Sequence, residues 1–143
     1  MAREFLWTRR VAFGDCDPAQ IAYTGRLVDY ALEALEAFWD DLLEGGGWYE
    51  MAVVTGQGMP FVRLEFEFLS PVTPRQPVVL RVTPEAVGRS SVTMQVEARH
   101  GAALAFRARF VSVFVSRESG MSPVRIPDDV RAKLATFDGG SGG

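Results

Sequence analysis

Between Leu27 and Leu42 apolar residues recur at steps of three and four: Leu27, Val28, Ala31, Leu32, Leu35, Phe38, Trp39 and Leu42. Asp29, Glu33, Glu36 and Asp40 form the opposite stripe. That period predicts an amphipathic helix over 24–44. Its roughly 20 residues would run ~30 Å. Gly45-Gly46-Gly47 stops it, because glycine makes continued helix costly and supplies a C-terminal cap, and Thr24 suits the N-cap. Elsewhere the period is two, as in strands with one buried face. Phe5, Trp7, Val11 and Phe13 alternate with Thr8 and Arg10, with Arg9 interrupting the apolar row. Val62, Leu64, Phe66 and Phe68 alternate with Arg63, Glu65 and Glu67. Residues 78–83 resume the alternation. Val92, Met94, Val96 and Ala98 follow, then Leu104, Phe106, Ala108 and Phe110 against Arg107 and Arg109, before an apolar run to Val115. Pro71, Pro74, Pro77 and Gly88 punctuate turns. Pro127 opens a short helix to about Leu134, while residues 48–54 fit either a helical or an extended piece.

This order predicts an α+β fold, an antiparallel sheet of about five strands wrapped around one long α-helix. Nothing else in the chain is large enough to cover the sheet's apolar face. With 143 residues the expectation is a single domain over 1–137, followed by a flexible Gly/Ser-rich tail at 138–143. Hydrophobic residues make up 48% and charged residues 23%, which excludes disordered and fibrous classes. The net charge of −3 gives no whole-molecule attraction for nucleic acid or an anionic membrane. No stretch approaches the ~20 apolar residues of a membrane span, and the first residues lack a signal peptide's apolar core, so a cytoplasmic protein is expected. One cysteine, Cys16, and one histidine, His100, supply neither an internal disulfide nor a structural zinc site. We expect Cys16 to be a small buried side chain and His100 a surface residue beside a turn.

The chemistry concentrates in Phe13-Gly14-Asp15-Cys16-Asp17-Pro18-Ala19-Gln20-Ile21-Ala22-Tyr23, an acidic, turn-rich loop just before the long helix. On spacing alone Asp17 reads as an Asp-Pro turn, since aspartate readily bonds nearby backbone. Residues 13–19, followed by Ile21, together with the element order along nearly the whole chain, resemble the hotdog-fold acyl-CoA thioesterases of the 4-hydroxybenzoyl-CoA thioesterase family. The resemblance implies that Asp17 is the nucleophile or general base on the thioester carbonyl and that the backbone N–H near Thr24 polarises the carbonyl oxygen. It implies that Arg89, in Gly88-Arg89-Ser90-Ser91, holds coenzyme A phosphates. It also implies a homodimer or homotetramer whose two sheets join, with sites at the subunit interface. The chemistry is consistent: a carboxylate supplies the activated oxygen, and helix N-terminal amides supply the oxyanion stabiliser.

Candidate catalytic residues are thus Asp17 and Thr24, and candidate substrate-binding residues are Gln20, Tyr23, Phe61, Arg89 and Ser91, with Trp48 a further candidate for the acyl pocket. Asp15 is expected to shape the loop, and Arg107 and Arg109 to line the solvated side of a strand. No metal and no cofactor are called for, coenzyme A being part of the substrate. The chain departs from the family at Gln20, where a glycine is usual, at Arg26-Leu27, where an Asn-Tyr pair is frequent, and at Leu32, where hydroxybenzoyl-specific members carry a carboxylate. The expected function is hydrolysis of an aromatic or medium-sized acyl-CoA to free acid and CoA. The alternatives are a non-catalytic acyl-CoA binding protein, or a thioesterase acting on acyl carrier protein, which would need a basic docking surface.

Overall fold

A computed structural model describes residues 3–44 and 46–137; the expected tail at 138–143 lies outside the described residues. The chain forms β1 (Phe5–Arg9), α1 (Thr24–Leu42), and a single turn α2 (Trp48–Glu50) that runs into a π-helical turn (Met51–Thr55). There follow β2 (Gln57–Gly58), β3 (Phe61–Phe68), β4 (Val78–Val87), β5 (Ser91–His100), β6 (Ala103–Val113), β7 (Val115–Ser116) and α3 (Asp128–Leu134). The main sheet is antiparallel in the order β1-β4-β5-β6-β3, and β2 pairs with β7.

The apolar stripe of α1 faces the concave side of the sheet. Leu27, Tyr30, Ala31, Ala34, Leu35, Phe38, Trp39 and Leu42 are buried, opposite Leu80, Val82, Met94, Val96, Phe106 and Phe110. Alanines at 31 and 34 let the helix approach closely, and the aromatics fill its far end. There Phe38 meets Phe5 edge-on at 5.5 Å and Phe137 at 4.9 Å between ring centroids. Burying each large side chain contributes about 1.5–3 kcal/mol gross, most of it offset by chain entropy. The helix stops at Leu42, two residues sooner than expected. Just past it Glu44 takes a left-handed backbone, at φ 51°, while Gly45 of the expected stop lies outside the described residues. Thr24 is the first helical residue and Tyr23 the N-cap, without a side-chain capping bond, so the expected Thr24 cap is corrected.

β1 ends at Arg9, where its partner strand begins at Val78. The backbone then coils into a 3-10 turn at Phe13–Asp15. Val11 is still buried, but Phe13, expected on the buried face, is 87% exposed. Pro84 sits within β4 beside a bulge, past the last β1 pair at Phe5↔Val82, so its missing N–H leaves no ladder bond unmade. β3 is the free edge of the sheet beyond β6. Leu64, Phe66 and Phe68 stand opposite Phe110, Ala108 and Phe106. Yet Leu64 is 44% exposed, because α1 comes closest to β1 and β4 at the other side of the sheet, and Val62, at the register shift between Phe61 and Arg63, is 62% exposed.

The register sorts the sheet into two ends. Arg9, Val78, His100 and Ala103 follow one another across neighbouring strands at one end, with Phe68 nearby. Val87, Val92, Ser91, Val113 and Phe61 lie at the other. The ten residues of β5 separate the two by about 30 Å.

Candidate active site

The loop after β1 folds into a small hairpin. The Tyr23 N–H bonds the Asp15 carbonyl at 2.9 Å, Cys16 pairs with Ala22, and the Asp17 N–H bonds the Ile21 carbonyl at 3.0 Å. The three residues between are Pro18, Ala19 and Gln20, and the Gln20 N–H closes the turn onto the Asp17 carbonyl at 2.8 Å. Proline at the second turn position presets φ, and a three-residue connection of this kind asks for a left-handed residue at its end. Gln20 is that residue, at φ 70°, which explains why glycine is usual there in the family that the loop resembles.

The loop's two carboxylates have different surroundings. Asp15 is 7% exposed and accepts from the Tyr30 hydroxyl at 2.7 Å, the Ala12 N–H at 3.1 Å and Arg9 Nη1 at 3.3 Å, with Arg26 Nε at 3.8 Å. Burial alone would push its carboxyl up, but the Tyr30 and Ala12 bonds with the two guanidinium charges outweigh it and hold Asp15 below the usual carboxylate value. Tyr30 is correspondingly pushed well above the usual phenol range, by burial and by its bond to Asp15. Asp15 is therefore a charged structural acceptor, as expected.

Asp17 is only half-buried. Its Oδ1 accepts the Ala19 N–H at 2.8 Å, the bond that aspartate makes in such turns. Its second oxygen has no hydrogen-bond partner among the described residues. The expected Asp-Pro turn is thus present, and it leaves half of the carboxylate free for chemistry.

Where the hairpin closes, α1 begins. The Ala22 N–H is taken by the Val72 carbonyl at 2.7 Å and the Tyr23 N–H by Asp15, while the Arg26 and Leu27 amides bond back to the Tyr23 carbonyl. The Thr24 and Gly25 amides have no partner among the described residues, and they stand at the positive end of a 19-residue helix. The Tyr23 ring lies over Gly25, where a Cβ would come within 2.8 Å of it. Gln20, Tyr23 and Thr24 are all exposed on this side.

The other candidate residues are at the opposite end of the sheet. Arg89 is exposed in the turn between β4 and β5, and Ser91 opens β5. Phe61 opens β3 and packs edge-on against Trp48 at 5.8 Å. Within one chain the structure brings Asp17, Gln20, Tyr23 and Thr24 together, and separately Phe61, Arg89 and Ser91.

Sequence reasoning missed the residues that hold the loop. The Arg9 guanidinium lies over the Tyr30 ring, 4.5 Å from its centroid, and pairs with Glu33 at 2.8 Å while reaching Asp15. The break that Arg9 makes in the apolar row was the available signal. His100, expected at the surface, is 8% exposed. Its Nε2 lies 3.0 Å from the Thr73 carbonyl and 3.3 Å from the Thr73 N–H, next to the Val72 that supports Ala22. Cys16 is partly rather than fully buried, 3.7 Å from the Ala12 carbonyl. Among the described residues no group of three His, Cys, Asp or Glu side chains is placed to hold a metal ion, and no helix is long and apolar enough to cross a membrane.

The convex face of the sheet carries charges paired across strands. Arg81, Glu97, Arg107 and Glu67 occupy one row over β4, β5, β6 and β3, with Arg107 and Glu67 at 2.6 Å and Arg81 and Glu97 at 4.0 Å. Arg109 grips Glu85 with two bonds of 2.6 and 2.8 Å. Arg107 and Arg109 thus occupy the solvated face expected of them.

Comparison with known proteins agrees with this geometry. The sequence profile of the thioesterase-like superfamily matches residues 11–134. A thioesterase superfamily protein from Jannaschia sp. CCS1 is 40% identical, with 94% of this chain and 92% of that one covered and a TM-score of 0.87. A 1,4-dihydroxy-2-naphthoyl-CoA thioesterase from Synechocystis is similar in fold at 17% identity, covering 95% and 98% with a TM-score of 0.83. A 4-hydroxybenzoyl CoA thioesterase from Pseudomonas sp. strain CBS-3 is similar at 21% identity, covering 92% and 99% with a TM-score of 0.81. No match was found among curated proteins. The loop hairpin, the sheet wrapped on α1 and a profile match spanning both make this chain a hotdog-fold thioester hydrolase, belonging to the thioesterase-like superfamily.

Proposed function

We propose that the protein hydrolyses an acyl-CoA thioester to the free acid and CoA. Asp17 serves as nucleophile or general base and the Thr24 and Gly25 amides form the oxyanion site. The observation that carries this reading is that one short hairpin holds both a carboxylate with an open oxygen and the unpartnered amides of a long helix. As a general base, Asp17 takes a proton from water while the water oxygen adds to the carbonyl; as a nucleophile it forms a mixed anhydride that water then cleaves. In both routes the C–S bond breaks and the departing thiolate of CoA takes up a proton. The amides stabilise the oxyanion electrostatically, at the positive end of α1. The route needs no metal or organic cofactor.

Arg89 and Ser91 would bind the phosphate-bearing half of CoA, since guanidinium forks suit phosphate oxygens. The fold shared with aromatic acyl-CoA thioesterases supports CoA as carrier and an aromatic or medium-sized acyl group. One chain holds the two halves of such a site about 30 Å apart, at opposite ends of its sheet. A two-fold axis at the free edge of β3, pairing it antiparallel with the same strand of a second copy, would place the Asp17 end of one chain beside the Phe61, Arg89 and Ser91 end of the other. It would also cover Val62, Leu64, Phe68 and Leu69, all exposed in the single chain. The working unit is therefore a dimer.

The test is release of free thiol from a panel of acyl-CoAs by the wild type and by Asp17→Asn. The substitution should lower kcat by roughly 10²–10⁴-fold, the usual contribution of a positioned acid or base. Equal rates would remove Asp17 from the mechanism.

A further inference from the structure

The turn that carries Arg89 is held by a side chain from the other end of the sequence. Arg131, in the middle of α3, donates from Nη2 to the Gly88 carbonyl at 3.0 Å and to the Arg89 carbonyl at 3.2 Å. Backbone bonds fix the rest of the turn. The Gly88 N–H bonds the Ser91 carbonyl at 2.8 Å, the Ile126 N–H the Arg89 carbonyl at 2.8 Å, and the Phe114 N–H the Ser90 carbonyl at 2.7 Å. Gly88 has no side chain where the Ser91 hydroxyl approaches; a Cβ there would lie 2.7 Å from Oγ. Arg89 itself is exposed and its side chain makes no hydrogen bond or ion pair among the described residues.

Much of the sheet's convex face is charge-paired. Arg63, Arg81, Arg107 and Arg109 each pair with a glutamate. Arg89 and Arg131 have no carboxylate within ion-pair distance among the described residues, and the acid one turn before Arg131, Asp128, is occupied by Arg125. The Nε of Arg131 is buried without a hydrogen-bond partner. A partly buried guanidinium with an unspent donor is thus fixed against the backbone of a residue that is itself a guanidinium without an ion-pair partner among the described residues. Two guanidinium groups anchored to one turn offer a bound anion two positive charges.

We propose that Arg131 of α3 is a positioning residue for the anionic carrier: it holds the Gly88–Arg89 backbone so that the Arg89 fork is presented to a phosphate, and adds a second positive charge there. The inference rests on the reading of Arg89 as a phosphate contact. It makes α3 part of substrate recognition, with no role in the acyl chemistry.

The experiment measures the Kd of free CoA by calorimetry and the KM for an acyl-CoA and for the matching acyl N-acetylcysteamine thioester, which lacks the phosphates. Wild type, Arg131→Ala, Arg131→Lys and Arg89→Ala are compared, with melting curves to establish folding. Arg131→Ala should weaken CoA binding ~10-fold, the loss of about one charge-assisted contact. It should shrink by the same factor the enzyme's preference for the CoA thioester over the truncated one. Arg131→Lys keeps the charge but not the fork and should recover part of the loss. Unchanged CoA binding in Arg131→Ala while Arg89→Ala weakens it would overturn the inference alone. Equal losses on both thioesters would overturn it too, as a general destabilisation. No effect from Arg89→Ala would remove the phosphate reading, and this inference with it. An active Asp17→Asn would sink only the catalytic assignment, since CoA binding is read independently.

Discussion

Asp15 and Asp17 are two residues apart in one loop, and burial, hydrogen bonds and nearby charges set them apart. Three donors and two guanidinium charges converge on Asp15, so it stays ionised and cannot act as a base, whereas Asp17 keeps one oxygen uncommitted. Tyr30→Phe should remove one donor from a buried carboxylate and cost about 1–3 kcal/mol at pH 7 in urea unfolding. The sign of the pH dependence follows from the lowered Asp15 value. The stabilisation is complete above the unfolded carboxyl's value and is lost as pH falls through the folded one, so the gap between wild type and Tyr30→Phe should begin to narrow below about pH 4 and vanish only below the folded value. A gap that did not narrow at all on acidification would mean the hydroxyl acts on something other than the ionised carboxylate. The sequence already set the two acids apart, Asp15 as a loop-shaping acceptor and Asp17 as the reactive candidate. It did not show what holds Asp15, because the deciding partner, Tyr30, lies fifteen residues on in the long helix.

At the scale of elements, the hairpin that presents Asp17 carries a backbone cost. Gln20 holds φ 70°, a region in which side chains other than glycine are disfavoured by roughly 1–2 kcal/mol, and β-branched residues more so. Gln20→Gly should leave the melting temperature unchanged or raise it, and Gln20→Val should lower it by several degrees, equivalent to about 1–2 kcal/mol in a domain of this size. Equal melting temperatures would show that the turn relaxes without cost. Alternation predicted β3, β5 and β6, and the three-and-four spacing predicted α1, since each has a clear period. The same periodicity could not tell that β3 is an edge, because an apolar side chain alternates identically whether its cover comes from its own chain or another. It also missed the short β2 and β7 pair, too brief to show any period. His100 was misjudged because the glycine after it marks a turn, while its burial comes from the distant segment around Thr73.

For the whole molecule, the cross-strand ladder on the convex face has a bearing on assembly. Arg81 with Glu97 and Arg107 with Glu67 pair opposite charges along one row, so this face is covered largely by charged side chains. The β3 edge, with its exposed Val62 and Leu64, has apolar surface left to cover and a row of unpaired backbone groups. The division of candidate residues between two sheet ends then has a consequence for mixtures of damaged chains. If Asp17 and Arg89 in one site come from different subunits, Asp17→Asn and Arg89→Ala injure opposite sides of the same site. Refolded together at equal amounts, the two variants would form hybrids in which one site carries both lesions and the other carries none. At low acyl-CoA, where either variant alone is nearly silent, the mixture should regain roughly a quarter of wild-type turnover, as random two-fold pairing dictates. Activity no greater than the average of the two variants would mean that each chain completes its own site.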